Sequence, residues 1–242
     1  SSRFWALCNV ETNRKVHNTT VVCPTLVGRA EQMALLTELM SVASRGQSRL
    51  ALIGGDSGVG KSRLVAELKV LASESGVEIV QGRCFEEDRA LPYAPVLDLL
   101  RTFCAGRSVA ELADVFGAIA PELKEWLPEV APLPGLTTFG ANLDPEQQKR
   151  RLFQSLAQFV LRLAEANRAG GGSLLMVIED LHWCDDASLE WLLFLARQIR
   201  SQPLLIVLTY RHDESHPILQ QLLATLDRLP NVSELVLAAL TR

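Results

Sequence analysis

Gly55-Asp56-Ser57-Gly58-Val59-Gly60-Lys61-Ser62 fits the pattern G-x-x-x-x-G-K-[ST] at every fixed position. A polyphosphate presents several negative oxygens, and backbone N–H groups close around them only where no Cβ blocks the approach; Gly55, Gly58 and Gly60 give that access. Lys61 then supplies a point charge for β- and γ-phosphates, Ser62 a hydroxyl for Mg²⁺, and the following helix its positive N-terminal end. The flanks suit the loop. Leu50-Ala51-Leu52-Ile53 before it is a continuous apolar run, as in a strand buried on both faces, while Leu64, Val65, Leu68, Leu71 and Ala72 recur at helical spacing after it. Strand, loop and helix in that order make this a nucleotide site, in which Asp56, Ser57, Val59 and Arg63 are counted with the fixed positions as cofactor-binding residues.

At 242 residues with 48% hydrophobic content, the chain is long enough for one large α/β domain with a sizeable core. A net charge of −4 and a pI near 5.6 argue against a surface that neutralises nucleic-acid phosphates, so no direct DNA binding is expected of this segment. Cys8, Cys23, Cys84, Cys104 and Cys184 are odd in number and form no C-x-x-C pair, which speaks against a disulfide framework or zinc site. Reduced thiols and a cytoplasmic location are expected. No apolar run reaches the roughly 18 residues of a membrane span, and the N-terminus has no basic-then-apolar signal pattern, so no membrane partner is expected.

Residues 1–25 mix Asn, Thr, Arg and Lys with scattered apolars and read as an arm or linker; residues 26–242 read as the nucleotide-binding domain. Met33, Leu35, Leu36, Leu39, Met40 and Ala43 describe one face of a first helix. Val27, Gly28 and Arg29 enter it by a turn that either presses against an adenine ring or is an ordinary helix entry. After the phosphate loop, residues 77–82 read as a second strand, and Leu91-Pro92-Tyr93-Ala94-Pro95 opens a helix running to Phe103. Glu86, Glu87, Asp88 and Arg89 read as a solvated loop. Five prolines and two glycines between Pro121 and Pro145 predict an irregular connection of helical fragments, and a long helix follows from Glu146 to Arg168.

The second half of the site is Leu174-Leu175-Met176-Val177-Ile178-Glu179-Asp180, an apolar strand closed by two carboxylates in the manner of a Walker B element. A buried strand delivers such acids to the carboxyl edge of the sheet, where one can hold Mg²⁺ through water and the next can orient or deprotonate the attacking water. Adjacent residues alternate in direction, so Glu179 and Asp180 need not share a task. His182 follows without a second ligand at metal spacing and receives no metal role, and Asp186 or Ser188 is expected to cap the next helix. Residues 204–209 form a fourth buried strand ending at Thr209-Tyr210-Arg211, where Arg211 can reach a γ-phosphate and detect its loss; the plainer reading is a surface ion pair. A helix over Ile218 to Leu229 and a half-exposed strand over residues 232–237 complete the chain.

These stretches together resemble the STAND class of P-loop NTPases, the signal-transduction ATPases with numerous domains related to AAA+ proteins. The likeness is strongest to the ATPase module of large LuxR-type (MalT-like) regulators and of cyclase-associated ATPases. It rests on Val27-Gly28-Arg29-Ala30-Glu31, the phosphate loop, Gly82 through Pro95, Ile178 through Asp185 reading I-E-D-L-H-W-C-D, and Thr209-Tyr210-Arg211. The resemblance implies a five-stranded parallel sheet in the order 5-1-4-3-2 with a helical insertion between strands 2 and 3. It also implies ATP/ADP and Mg²⁺ as ligands, with Val27, Gly28 and Arg29 among the nucleotide contacts, Ser62, Glu179 and Asp180 at the metal, and Glu179, Asp180 and Arg211 in catalysis. Glu179 stands where Asp is commoner, which leaves the division of metal and water duties between the two acids open. In that family a lid, a winged helix and output domains follow, so the chain reads as a nucleotide-binding domain whose partners are the other domains of a larger protein, with nucleotide-dependent self-association. A slow regulatory ATPase switch is the first expectation; a mechanical DNA-loading or remodelling ATPase and a weakly hydrolysing scaffold are the alternatives.

Overall fold

Apolar runs bounded by turns must bury both of their faces, and three strands at the centre of one sheet do so. The computed structural model describes residues 28–117, 119–124, 126–130, 133, 144–169, 171–214 and 216–239. Strands β1 (Arg49–Gly55), β3 (Leu174–Glu179) and β4 (Leu204–Tyr210) are buried throughout, apart from a half-buried Arg49. The edge strands β2 (Glu78–Arg83) and β5 (Val232–Leu237) are partly exposed. All pairings are parallel, in the order β2-β3-β4-β1-β5, which is the expected order read from the opposite edge.

The pleat sends alternate residues to opposite faces. Ala51, Ile53, Leu175, Val177, Leu205 and Val207 pack with helices α1 (Ala30–Ser44) and α2 (Lys61–Glu74). Leu50, Leu52, Leu174, Met176, Ile178, Leu204, Ile206 and Leu208 face the other layer. That layer holds α3 (Ala94–Cys104), α4 (Val109–Phe116), α5 (Ala120–Leu123), α6 (Pro145–Ala169), α7 (Asp186–Gln198) and α8 (Pro217–Leu226). Helices α3 to α6 are the insertion between β2 and β3. Its core is aromatic: Phe116 stacks on Phe159 at 5.0 Å between ring centroids, and Phe103 meets Phe159 edge-on at 5.1 Å. Between Pro121 and Pro145 the described residues form only the single-turn α5 and a 3-10 turn over Pro128–Val130, the helical fragments that the prolines predict. Among the described residues no helix is long and apolar enough to cross a membrane, and Cys84, Cys104 and Cys184 are buried free thiols; Cys8 and Cys23 lie outside the described residues, as does most of the expected arm.

The cap of α7 corrects the sequence expectation. It is Asp185, not Asp186 or Ser188: its backbone is extended (φ −70°, ψ 152°), as a cap requires, whereas Asp186 already has helical geometry. One carboxylate oxygen of Asp185 accepts the Ser188 N–H at 2.9 Å, and the other accepts the Ser188 hydroxyl at 2.6 Å. The first also accepts the N–H of Tyr93 at 3.0 Å, in a residue held at φ 65° before α3. One buried carboxylate thus secures the start of two helices, the first of the insertion and the one that follows β3. The insertion is pressed against β2 at Gly82, where a Cβ would meet the carbonyl oxygen of Pro95 at 2.1 Å.

Both contacts yield stability predictions readable by urea unfolding. Asp185→Ala is expected to cost about 2–3 kcal/mol, combining a lost cap with buried donors left unpaired, while exposed Asp186→Ala stays within about 0.5 kcal/mol. Gly82→Ala forces β2 and α3 apart and is expected to cost about 1–3 kcal/mol; a wild-type midpoint for it would show that the two elements do not pack as closely as described.

Candidate nucleotide-binding site

The carboxyl ends of β1, β3 and β4 converge on the loop between β1 and α2. Gly55 closes β1 with φ 151°, and a Cβ there would lie 2.6 Å from the carbonyl oxygen of Leu237 at the end of β5. Gly60 directly precedes α2 with φ 98°, a left-handed turn that suits glycine and aims the first N–H groups of the helix into the loop. Asp56, Ser57, Gly58 and Ser62 are exposed.

Lys61 is 7% exposed, and its ammonium donates to the carbonyl oxygens of Gly55 at 2.7 Å and Asp56 at 2.8 Å. Two of its three donors are met by backbone, and among the described residues no carboxylate forms an ion pair with it. Burial lowers its pKa first and Arg211 lowers it further, while Asp180, Asp213 and Asp56 act in the opposite sense. A desolvated cation held by neutral carbonyls suits an anionic ligand, because only an anion restores the electrostatic stabilisation that water supplied. The donor set therefore fits a polyphosphate.

The two acids of β3 part company. Glu179 continues the alternation of Leu175 and Val177 and so points to the α1/α2 face, where its carboxylate lies 3.7 Å from both Lys69 of α2 and Arg83 of β2. It is 3% exposed. Asp180 leaves the strand at φ 64°, a conformation Asp adopts more readily than most residues, with its N–H donated to the Thr209 hydroxyl at 2.9 Å. Asp180 is thus the acid of the pair whose charge acts on Lys61. Among the described residues no cluster of three or more His, Cys, Asp or Glu could hold a metal ion alone. Ser62, Glu179 and Asp180, the residues expected at the metal, would need water and the oxygens of the phosphates to complete a Mg²⁺ site.

Arg211 sits just past β4, ion-paired to Glu214 and with its guanidinium carbon 5.1 Å above the Trp183 ring. The second oxygen of Glu214 lies 3.5 Å from Nε2 of His182. His182 is buried, neither of its ring nitrogens has a hydrogen-bond partner among the described residues, and burial lowers its pKa, so the neutral imidazole is favoured.

The remaining expected contacts are placed as follows. Arg63 pairs with Glu67 one turn along α2. The Arg29 guanidinium donates to the carbonyls of Val59 at 2.9 Å, in the phosphate loop, and of Ala238 at 2.5 Å, just past β5. Gly28 is exposed at φ 70°, and Val27 lies outside the described residues. Three residues of the site escaped the sequence reading. Thr209 and Trp183 stand in quoted motifs but have no assigned task there, and Glu214 carries only the weak signal of an acid three residues after an arginine.

Comparison with known proteins places these features. The AAA ATPase domain profile matches residues 25–207, which include the phosphate loop, both acids of β3 and most of β4. An uncharacterized protein of Rhizobium meliloti (strain 1021) is 26% identical over 195 residues, covering 77% of this chain; the chain spans only 18% of that protein's length. Among solved structures, Cdc6p from Pyrobaculum aerophilum is 16% identical with a TM-score of 0.44, covering 89% of this chain and 47% of its own. A STAND protein with a tetratricopeptide repeat sensor from Pyrococcus horikoshii is 15% identical with a TM-score of 0.42, covering 90% of this chain and 24% of its own. With the profile spanning well over half of the sequence and the phosphate loop, sheet and acids all in place, the chain belongs to the AAA ATPase domain family and is a nucleotide-binding ATPase module.

Proposed function

We propose that this module binds ATP with Mg²⁺ at residues 55–62, hydrolyses it slowly, and serves as the nucleotide-controlled switch of a larger signalling protein of the STAND class, with a LuxR-type transcriptional output. The observation that carries the nucleotide reading is Lys61, a buried ammonium without a carboxylate partner among the described residues, in the field of Asp180 and Arg211. The E-D-L-H-W-C-D string at residues 179–185 and Thr209-Tyr210-Arg211 support the class, and the length of the Rhizobium relative supports a module within a larger chain.

In this reading backbone N–H groups of residues 58–62 and the Lys61 ammonium bind the β- and γ-phosphates, and Ser62 meets the metal. Mg²⁺ neutralises charge on the phosphate oxygens when bound. Asp180, the acid in the field of Lys61, holds the attacking water or a metal-bound water. Glu179 keeps its ion pairs with Lys69 and Arg83 and has a lesser part in the chemistry. Arg211 touches the γ-phosphate from the β4 side and reports its presence. Slow turnover is expected if the triphosphate stays open to water on one side, because water there weakens electrostatic stabilisation of the transferred group. A cis-acting arginine favours a switch over a ring machine, which takes that charge from a neighbouring subunit.

Lys61→Ala is expected to abolish measurable ATP binding in calorimetry, and unchanged affinity would remove the nucleotide assignment. Asp180→Asn should slow phosphate release by roughly 10²–10⁴-fold while ATP affinity moves little, with Glu179→Gln the milder change. Wild-type turnover should fall below roughly 1 s⁻¹, the lower edge of ordinary enzyme rates. Nucleotide released on denaturing the purified protein should be retained ADP. Rapid turnover with nucleotide-free hexamers would favour the mechanical reading instead.

A further inference from the structure

We propose that Glu214 is an internal stand-in for the γ-phosphate: it occupies the Arg211 guanidinium until a triphosphate displaces it, and so sets how strongly the site prefers ATP to ADP. The inference rests on the reading of Arg211 as the γ-phosphate sensor and adds the group that competes for it.

A guanidinium offers a planar fork of donors that carboxylate and phosphate oxygens satisfy alike, so one anion can replace the other without moving the arginine. Arg211 is built to stay still. Its side chain is 22% exposed and lies over Trp183, whose own ring is 4.6 Å from that of buried His182. Glu214 is the more exposed partner at 38%, on the turn after β4. Such a pair is weak enough to be exchanged. Arg211 directly follows Tyr210, which pairs with Gly54 just before the phosphate loop, and Thr209 on the same strand end accepts the N–H of Asp180, so Arg211 leaves the sheet at the edge where that loop opens.

Glu214 also lies near a second side chain. Its other carboxylate oxygen is 3.5 Å from Nε2 of His182, with no hydrogen bond between them. The ion pair with Arg211 is therefore what holds the carboxylate between the end of β4 and the segment that follows the β3 acids. Asp213, although adjacent, forms no ion pair with Arg211 among the described residues, so the competing carboxylate is that of Glu214. The consequence is asymmetric between nucleotides. ATP must break the Arg211–Glu214 pair to gain its own contact with Arg211, whereas ADP leaves the pair intact.

The test is calorimetric titration of Mg-ATP and Mg-ADP into the wild-type chain, Glu214→Gln, Arg211→Ala, the double variant, and Asp213→Asn as a control. Thermal melts confirm that each variant is folded. Glu214→Gln should tighten ATP by roughly fivefold, the worth of a partly exposed ion pair, with ADP unchanged within twofold. The gain should vanish on the Arg211→Ala background, and Asp213→Asn should not reproduce it. Glu214→Ala, which removes the carboxylate entirely, should give the same sign. If Arg211→Ala lowers ATP preference but neither Glu214 variant raises it, Glu214 is not a competitor while the sensor reading stands. If Arg211→Ala weakens both nucleotides equally, the sensor reading falls and the proposal with it.

Discussion

A strand buried on both faces has no freedom of register, and the site depends on that constraint. Shifting β3 by one residue would send Leu175 and Val177 to the α3–α8 layer and Leu174, Met176 and Ile178 to α1 and α2, undoing two packed faces at once. Each such side chain contributes roughly 1.5–3 kcal/mol by burial, so the register is held far more firmly than any contact at the site could hold it. The pairing of β3 with β4 places Ile178 beside Leu208, one residue before Glu179 and Thr209 respectively. The direction of Glu179 is thus a by-product of hydrophobic packing. Its neighbour escapes only because Asp180 turns out of the strand at φ 64°, where the Thr209 hydroxyl receives its N–H.

The same packing determines the state of Lys61. At the start of α2, against a fully buried strand, its ammonium loses water and finds only the carbonyls of Gly55 and Asp56. Those carbonyls satisfy hydrogen bonding without neutralising charge, so the desolvation cost is only partly offset. Nearby Arg211 adds to it, and three aspartates lessen it. The balance is one that an incoming polyphosphate improves, which is a physical reason for the lysine to be kept under tension rather than paired with a resident acid.

The central strands, the phosphate loop and the helices on both sides of it are legible because each rests on a local pattern: an apolar run, a fixed glycine spacing, a 3.6-residue period; the order of the strands is a non-local property and came only with the resemblance to the STAND class. The partition of labour between Glu179 and Asp180 was legible only in part. Alternation predicted that the two acids diverge, but the partners that claim Glu179 come from α2 and β2, 110 and 96 positions earlier (179 − 69 and 179 − 83), and no local pattern reports such pairs. The cap of α7 lies one residue before Asp186 and three before Ser188, the two expected caps, for a related reason. Asp185, Asp186 and Ser188 are all good capping types, and what selects Asp185 is the distant N–H of Tyr93. Glu214 was invisible because an exposed acid near an arginine is ordinary; its significance comes from where β4 ends.

Arg29 ties the phosphate loop to two other segments of the chain. It lies just before α1, is 6% exposed, and donates to the phosphate loop at Val59 and to Ala238 beyond β5. A buried guanidinium is costly to leave unsatisfied, and hydrogen bonds to a charged group are worth about 1.5–3 kcal/mol each, so the three segments move together or exchange partners together. Gly55 tightens the same junction, since its backbone packs against the carbonyl of Leu237 too closely for any side chain. A ligand shifts a conformational equilibrium only by the difference in its interactions with the two states. Any rearrangement of the loop on triphosphate binding must therefore either preserve the Val59 carbonyl for Arg29 or surrender that bond. The second course would pass about 1.5–3 kcal/mol of bias, the worth of a single charged hydrogen bond, to the segment leaving β5.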